Sequence, residues 1–318
     1  MTKKRIYFLL RFSISFVLIA FLISRVNFHK VLGLLPSIEQ HFVLIGLVWL
    51  LLDRVVMSYR WQILLRAKGI EINILSIVRL YFLASFWGTF LPSSVAPDVV
   101  KVYVASRKHN ANTSDVLSSV VVDRLTGVFS LAILAFISFG LIFFSHRMQA
   151  SANIFWALCA VLAFMAFLLL FDRLPLKKMS AFFRLSREGA VWRFLARFYN
   201  SCREYRGDRA AILRVLCVSF VNHVFSIFVI YLLTVSLGLQ VSVLYLFVIV
   251  PLVNFLIMIP ISLGGLGIQE GAYVYFFSQV EVSTQEALTV ALLFRALMLA
   301  ASLPGGVMYA FGGFRMRR

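Results

Sequence analysis

The stretch LYLFVIVPLVNFLIMIPISLGGLGIQEGAYVYFF, residues 244–277, decides the fold class because it is almost entirely apolar and is interrupted in its middle. The interruption consists of Pro260 followed by three closely spaced glycines. Proline breaks the hydrogen bonding of a helix, and clustered glycines permit a tight turn. We therefore predict two membrane-embedded arms, at residues 241–262 and 266–280, which form a hairpin that turns at residues 262–267.

The composition assigns the whole chain to the membrane. Hydrophobic residues make up 61% of the 318 residues and charged residues 14%, and the mean hydropathy is +0.92. A soluble domain is about 45–50% apolar and about 25% charged, so soluble and disordered proteins are excluded. The apolar segments have the length of bilayer-crossing helices and lack the alternation of a transmembrane β-barrel. They lie at residues 6–24, 41–63, 74–91, 116–144, 153–171, 211–237, 241–262 and 287–311. We predict an all-α polytopic membrane protein in which residues 1–318 form a single membrane domain.

The basic residues predict the orientation in the membrane. The chain has 31 Lys and Arg residues against 13 Asp and Glu residues, which gives a net charge of +18. Residues 173–214 carry eleven of the basic residues, and residues 3–5 carry three. Cytoplasmic loops of membrane proteins collect Lys and Arg, so topology explains this charge better than nucleic-acid binding does. We expect a multi-pass protein of the cell inner membrane with both termini in the cytoplasm.

A second apolar segment cannot simply cross the bilayer in this orientation. Residues 60–79 and 101–108 are both basic and therefore cytoplasmic, so the segment at residues 74–91 must enter the membrane and return. Its turn is expected between Pro92 and Pro97. Irregular backbone at membrane depth survives only beside protein or water, so two such hairpins predict an internal cavity. About six full spans then remain. Full crossing by every segment is the alternative.

Each hairpin is followed by matching charged positions. Asp115 and Arg124 follow the first hairpin, Glu286 and Arg295 follow the second, and the two pairs are related by an offset of 171 residues. By the predicted topology, the helix with Arg124 runs outward and the helix with Arg295 runs inward. This predicts an inverted-topology repeat, and transporters built from such repeats bind substrate near the midplane between broken segments. The two repeat motifs are assigned to residues 74–144 and 241–312.

The two arginines are the strongest candidates for a binding site. Arg124 lies about 13 Å into its apolar helix, where an arginine costs at least about 2.5–3.5 kcal/mol unless it faces a partner or water. Partners for the arginines are Asp98, Glu270 and Asp123. These pairs either lock the hairpins together or hold arginines that receive an anionic headgroup, most naturally a phosphate. The candidate substrate-binding residues are Arg124, Arg295, Asp98, Glu270, Asp123, Ser93, Ser94, Lys101, Gly264 and Gly265.

Other polar segments receive structural interpretations as well as functional ones. Asp53 and Arg54 are expected to pair across helices, and Asn222 and His223 to form interhelical hydrogen bonds. The segment at residues 173–210 interleaves aromatic residues with arginines at helical spacing. It fits an amphipathic helix on the anionic cytoplasmic leaflet, or equally a helix packed on its own membrane domain.

These motifs resemble a known family, the transmembrane region of the lysylphosphatidylglycerol synthases and flippases. The resemblance rests on the following segments: Leu91-Pro92-Ser93, Asp98 to Lys101, Asp123-Arg124-Leu125, Gly264-Gly265-Leu266-Gly267-Ile268-Gln269-Glu270 and Phe294-Arg295. It implies lipid translocation between leaflets, and in some members a role with lipid-linked sugars. Bifunctional members carry a cytosolic aminoacyl-transferase domain after the membrane part. Here about seven residues follow the last apolar helix, so we expect no lysylphosphatidylglycerol synthesis.

The resulting functional hypothesis is a flippase-like transporter for an anionic phospholipid or a polyprenyl-phosphate-linked lipid. One alternative is a membrane glycosyltransferase that uses a lipid-linked sugar donor, with Asp98 or Glu270 as the base. The other is a non-transporting scaffold for a synthase, acting through residues 173–214. The expected partners are an anionic lipid and a lipid-modifying enzyme or glycosyltransferase, without nucleic acid, metal or cofactor. The oligomeric state is left open.

Overall fold

A computed structural model describes residues 33–90, 96–108, 111–144, 201, 204–258 and 262–311. Within these ranges the secondary structure is helical, with eight α-helices and three short 3-10 turns. The helices are α1 (Gln40–Arg66), α2 (Ile74–Phe90), α3 (Ala96–Lys108), α4 (Thr113–Phe144), α5 (Arg209–Ser236), α6 (Val243–Met258), α7 (Ile268–Ser278) and α8 (Thr284–Ala310). The predictions for residues 6–24, 153–171 and 173–200 lie outside the described residues, as do those for Ser93 and Ser94.

Four of the described helices, α1, α4, α5 and α8, are long and apolar enough to cross a bilayer. Helices α2 and α6 are apolar but shorter. The return arms α3 and α7 have 13 and 11 residues, so they extend only about 20 and 16 Å, well short of a hydrocarbon core of about 30 Å. The chain is therefore a polytopic all-α membrane protein in which each short return arm belongs to a hairpin.

Helices α1 and α5 form an antiparallel pair at the centre of the fold. Near the start of α1, the Glu39 N–H donates to the Ser236 carbonyl at the end of α5 (3.0 Å). In the middle, the Asn222 side chain donates to Asp53. Residue numbers thus rise along α1 while they fall along α5, so the two helices cross the membrane in opposite directions.

The helix packing repeats itself when α1–α4 are exchanged with α5–α8. The contact of α2 with α8 matches that of α6 with α4, and α1 with α8 matches α5 with α4. The pairs α1–α2, α2–α3, α3–α4 and α1–α4 likewise match α5–α6, α6–α7, α7–α8 and α5–α8. A two-fold axis that exchanges the antiparallel helices α1 and α5 must lie perpendicular to them, in the membrane plane. This is the arrangement that an inverted-topology repeat requires.

Glycine and proline residues shape the described parts of both hairpins. In the first hairpin, Gly88 of α2 faces the Pro97 ring of α3, and a Cβ at residue 88 would collide with it. In the second hairpin, a 3-10 turn at Leu263–Gly265 precedes α7. Gly265 and Gly267 there have φ of +76° and +80°, which side chains other than glycine rarely adopt. The glycine cluster is therefore a backbone requirement of the second turn.

The first hairpin rests on the long helix of the other repeat. Gly305 of α8 lies directly against the backbone carbonyl of Phe82, and Gly306 against the Phe86 ring. Trp87 and Tyr309 extend the contact edge to face, with ring centroids 5.2 Å apart. Small residues allow such close approach of membrane helices. The two repeats are thus interlocked and do not form separate bodies.

Candidate functional site

The first cluster consists of Tyr81, Asp98, Lys101 and Arg124. Asp98 lies in the first turn of α3 and accepts a hydrogen bond from Nε of Arg124 on α4. The Lys101 ammonium lies 3.4 Å from the other Asp98 oxygen and 3.8 Å from the centroid of the Tyr81 ring. One carboxylate therefore serves two cations, and an aromatic face helps to hold the second.

A cavity of about 810 Å³ opens between α3 and α4 beside this cluster. Its charged lining residues are Asp98, Arg107 and Arg124, so the lining carries one more positive charge than negative. The remaining wall is largely apolar. It is formed by Val99, Val102, Tyr103, Ser106, Ala111, Thr113, Leu117, Val120 and Val121. An excess of arginine above an apolar wall is suited to an amphiphile with an anionic head.

The second cluster consists of Gly265, Gln269, Glu270 and Arg295. Nε of Arg295 donates to Oε1 of Glu270, and Nη2 donates to the Gln269 side-chain oxygen (3.1 Å) and the Gly265 carbonyl (3.3 Å). The second Glu270 oxygen accepts from the Gly267 N–H at 2.8 Å. The carboxylate thereby bonds both the long helix and the turn, and it fixes the tip of the second hairpin to α8.

The two ion pairs occupy equivalent positions in their repeats. Arg124 and Arg295 each lie eleven residues after the first residue of their helix, Thr113 or Thr284. Asp98 and Glu270 each lie in the first turn of the return arm. The duplicated motif thus marks two matching contacts between a hairpin tip and a long helix.

Among the residues that the structure describes, the cavity lined by Arg124 does not include Arg295, whereas we expected one midplane cavity for both arginines. The cavity beside Arg124 is lined by α3, α4 and the segment between them, and no residue of the second cluster contributes to it. The neighbours of the arginines also differ in depth. Asp123 contacts α1 at Arg60, whereas Leu297 contacts α1 at Gly46. Residues 46 and 60 are fourteen positions apart, which corresponds to about 21 Å along α1. Helices α1 and α5 each contact both α4 and α8, so the central pair packs against both long helices that carry the arginines.

Asp123 is not the partner of Arg124. Its carboxylate accepts from Nε of Arg60 at 2.7 Å, and the two side chains are 6% and 5% exposed. Nη1 of Arg60 also donates to Ser219 on α5 (3.2 Å). Consecutive residues of a helix point about 100° apart, so Asp123 and Arg124 face different neighbours. The expectation that Asp123 belongs to the anion site is replaced by a buried ion pair that joins three helices.

The other polar candidates are distributed as follows. The prediction of interhelical bonds is confirmed for Asn222, which binds Asp53, and for His223, which lies 3.0 Å from the Ser130 hydroxyl. Arg54 bonds the sulfur of Met298 on α8, so Asp53 and Arg54 each contact another helix, as predicted. Within the second turn, Gly264 is exposed, whereas Gly265 contributes its carbonyl to Arg295.

Sequence reasoning missed three residues that take part in these contacts or line the cavity, namely Arg60, Arg107 and Gln269. Arg60 and Arg107 were both taken as loop charges of the cytoplasmic face, but Arg60 is buried within α1 and Arg107 lines the cavity. The position of Arg60 inside a long apolar segment was the available signal for a buried partner. Nothing in the sequence indicated that Gln269 would bond Arg295, apart from its position next to Glu270.

Fold and clusters together define an inverted-repeat membrane protein with paired hairpins, each tied to a long helix by an ion pair. The family described as Lysylphosphatidylglycerol synthase TM region matches residues 8–305, and the chain belongs to that family. A UPF0104 membrane protein of Methanocaldococcus jannaschii is 21% identical over 297 residues, covering 89% of this chain and 88% of the relative. A UPF0104 membrane protein of Methanothermobacter thermautotrophicus is 23% identical over 265 residues, 78% of each chain.

Proposed function

We propose that the protein is a flippase-like transporter that moves an anionic lipid between leaflets, with the headgroup captured in the cavity between α3 and α4. The observation that carries this proposal is the excess of arginine in a cavity whose remaining wall is largely apolar. Family membership and the inverted repeat support it, because transporters use such repeats for alternating access. The coarser conclusion, a membrane protein of this family, does not depend on the proposal.

The two parts of an amphiphile fit the two parts of the cavity. Arg124 and Arg107 offer guanidinium groups, which bind phosphate oxygens through paired hydrogen bonds. The acyl chains would follow the valine-lined wall. Val99 and Tyr103 belong to this wall and are 62% and 50% exposed, so the cavity opens along the outer face of α3. A lipid could therefore enter from the side without leaving the bilayer.

The ion pair in the cavity supplies a release mechanism. Asp98 bonds Arg124 in the absence of substrate, and Lys101 shares the same carboxylate. A phosphate that approaches Arg124 competes with Asp98, while Lys101 keeps Asp98 neutralised. Exchange of one partner for the other would keep the buried charge compensated in both states, which a low-dielectric site demands. No nucleotide-binding motif is present in the sequence, so transport would be passive or ion-coupled.

The glycosyltransferase alternative receives less support from the geometry. A catalytic base needs an oxygen that is free to take a proton from the acceptor. The Asp98 oxygens face Arg124 and Lys101, and the Glu270 oxygens accept from Arg295 and Gly267. Both candidate bases are thus already engaged in holding the hairpins. The scaffold alternative rests on residues 173–214, most of which lie outside the described residues.

A reconstitution experiment tests the proposal. The full chain is placed in vesicles with a trace of fluorescent phosphatidylglycerol, and movement between leaflets is followed by chemical quenching of the outer leaflet. Arg124→Gln should lower the rate by about tenfold or more, because a charged hydrogen bond to the phosphate is lost.

The matched control is Arg79→Gln, which removes an exposed arginine of α2 outside the cavity lining and should leave the rate unchanged. Movement at the wild-type rate in the Arg124→Gln variant would overturn the headgroup site, and no movement in the wild type would overturn transport.

A further inference from the structure

The carboxyl group of Asp53 lies at the middle of the central helix pair. Asp53 is the fourteenth of the 27 residues of α1, and Asn222 is the fourteenth of the 28 residues of α5. Each therefore lies about 20 Å from either end of its helix. The Asn222 side chain donates to Oδ1 of Asp53. A two-fold axis that exchanges two antiparallel helices passes between their midpoints, so this contact lies at the depth of the axis.

Asp53 differs from the other buried carboxylates in having no cation as a partner. The side chains of Asp98, Asp123 and Glu270 each pair with an arginine. In the part of the chain that the structure describes, Asp53 forms no ion pair, and its one hydrogen bond comes from the neutral amide of Asn222. The residue is 6% exposed. A charged carboxylate without a cation is costly at membrane depth, and binding a proton removes that cost.

The charged groups near Asp53 have other partners. Among the described residues, Arg54 and Arg60 of the same helix act on Asp53 electrostatically. Arg54 bonds the sulfur of Met298 on α8, and Arg60 bonds Asp123 of α4. Neither guanidinium group is within ion-pair distance of Asp53, so neither fixes that carboxyl group in its charged form.

A layer of buried polar side chains continues from this contact toward α4. Ser219 lies one turn before Asn222 on α5 and accepts from Arg60. His223, the titratable residue next to Asn222, lies 3.0 Å from the Ser130 hydroxyl of α4. All of these side chains except that of Asn222 are buried. Chains of such ionisable and polar groups carry protons through membrane pumps and transporters.

An asparagine suits a partner that changes its protonation state. The NH₂ group of Asn222 donates to the Asp53 carboxylate. After rotation of the amide, its carbonyl oxygen can accept from the O–H of the neutral acid, because an amide carries both donors and an acceptor. A lysine or arginine at residue 222 has donors alone and would bond the charged form. The contact can therefore persist in both states of the carboxyl group.

We propose that Asp53 binds a proton that crosses the membrane together with the transported lipid. One carboxylate oxygen of Asp53 takes the proton from water on one side, an O–H bond forms, and the same proton leaves to water on the other side. One proton and one singly charged phospholipid carry no net charge together, so the membrane potential neither drives nor opposes their movement. This inference rests on the proposed function, because it names the ion to which lipid movement is coupled.

A gradient experiment tests the coupling. The full chain is reconstituted with a trace of fluorescent phosphatidylglycerol, and potassium with valinomycin holds the membrane potential at zero. Chemical quenching then reports the fraction of the lipid in the outer leaflet. With one proton coupled to one lipid, a pH difference of about one unit should shift the ratio of lipid between the leaflets by up to about tenfold. The shift should reverse with the pH difference and be absent from protein-free vesicles.

Two variants of Asp53 and one control locate the proton. Asp53→Asn should leave the lipid evenly distributed under either pH difference, because an amide does not take up a proton. Asp53→Ser is a smaller neutral variant with the same expected result, and it replaces Asp53→Asn if that chain does not fold. The matched control is Asp208→Asn at the exposed N-cap of α5, where asparagine caps as well as aspartate does. It should behave like the wild type.

Two results would overturn the inference and leave the proposed function standing. The first is lipid movement in the wild type with no effect of the pH difference, or with the same effect in Asp53→Asn. The second is a shift that a sodium gradient produces at equal pH and that a pH difference does not, which would assign the coupling to a metal cation.

A stability measurement tests the proton site without transport. In detergent, the melting temperatures of the wild type and Asp53→Asn are compared between about pH 5 and about pH 9, where Asp53 of the unfolded chain is charged. If the folded wild type binds a proton there, its stability falls relative to the variant as the pH rises. The difference should thus change with pH in favour of Asp53→Asn, and a constant difference would contradict the inference. If no lipid moves in the wild type but this change with pH is observed, transport fails and the proton site stands.

Discussion

The two hairpins have one architecture and two chemistries. Each places a carboxylate of its return arm against an arginine that lies eleven residues into the following long helix. The first adds Lys101 and Arg107 and borders a cavity, whereas the second has Tyr273 in place of the ammonium and an arginine that also bonds Gln269 and the Gly265 carbonyl. The shared ion pair is therefore the structural element that holds a hairpin tip in the membrane, and the residues around it determine what each tip can bind.

A buried ion pair is a second difference between the repeats. The offset of 171 residues between α4 and α8 places Phe294 where the first repeat has Asp123. The Arg60–Asp123 pair joins α1 and α4, and its arginine also bonds Ser219 of α5. Phe294 carries no charge to form such a pair, and its ring contacts the Tyr273 ring of α7. The difference shows that this pair is not required by the repeat architecture.

The largest expected effect comes from breaking that pair. Asp123→Leu leaves the Arg60 charge buried without its carboxylate and should destabilise the protein by about 3–5 kcal/mol. The double variant Arg60→Met with Asp123→Leu should recover most of the loss, because apolar residues replace both charges. Thermal unfolding in detergent measures both. A double variant as unstable as the single one would contradict a purely structural role for the pair.

An intermediate effect is expected where the two repeats interlock. Gly305→Ala places a Cβ against the Phe82 carbonyl and should destabilise the fold by about 1–3 kcal/mol through overpacking of α2 on α8. Gly271→Ala is the control, because a Cβ at that helical glycine meets nothing within 4 Å. Unfolding curves should show that Gly305→Ala is less stable than Gly271→Ala. Equal stability of the two variants would mean that α2 and α8 can shift to accommodate the added Cβ.

The smallest effect is expected at the mouth of the cavity. Arg107 lines the cavity but is exposed, so Arg107→Gln should slow movement of phosphatidylglycerol only about twofold to threefold. The difference from wild type should shrink as salt rises from low to physiological concentration, since exposed charges are screened. The same transport assay at two salt concentrations measures this. If Arg107→Gln slows transport as much as Arg124→Gln does, or if its effect does not depend on salt, then Arg107 and not Arg124 makes the main contact with the phosphate.

Much of the fold could be predicted from the sequence because the bilayer imposes simple rules. Segment length, the position of basic residues and helix-breaking Pro and Gly residues indicated spans and hairpins. The structure also contains the predicted pairs of Asp98 with Arg124 and of Glu270 with Arg295, since an arginine within an apolar membrane helix requires a partner. The partner of Asp123 was predicted wrongly. Its neighbour in sequence is Arg124, but the direction in which a helical side chain points decides its contacts.

The sequence by itself determined that this chain is a helical membrane protein with a duplicated, inverted motif and two arginine–carboxylate pairs, because these features depend on local length, charge and spacing. Only the tertiary structure decided that the central pair of α1 and α5 packs against both long helices and that the cavity lies beside Arg124. Those outcomes depend on which helices pack together and at what depth, and side-chain spacing along one helix does not encode the distance to another.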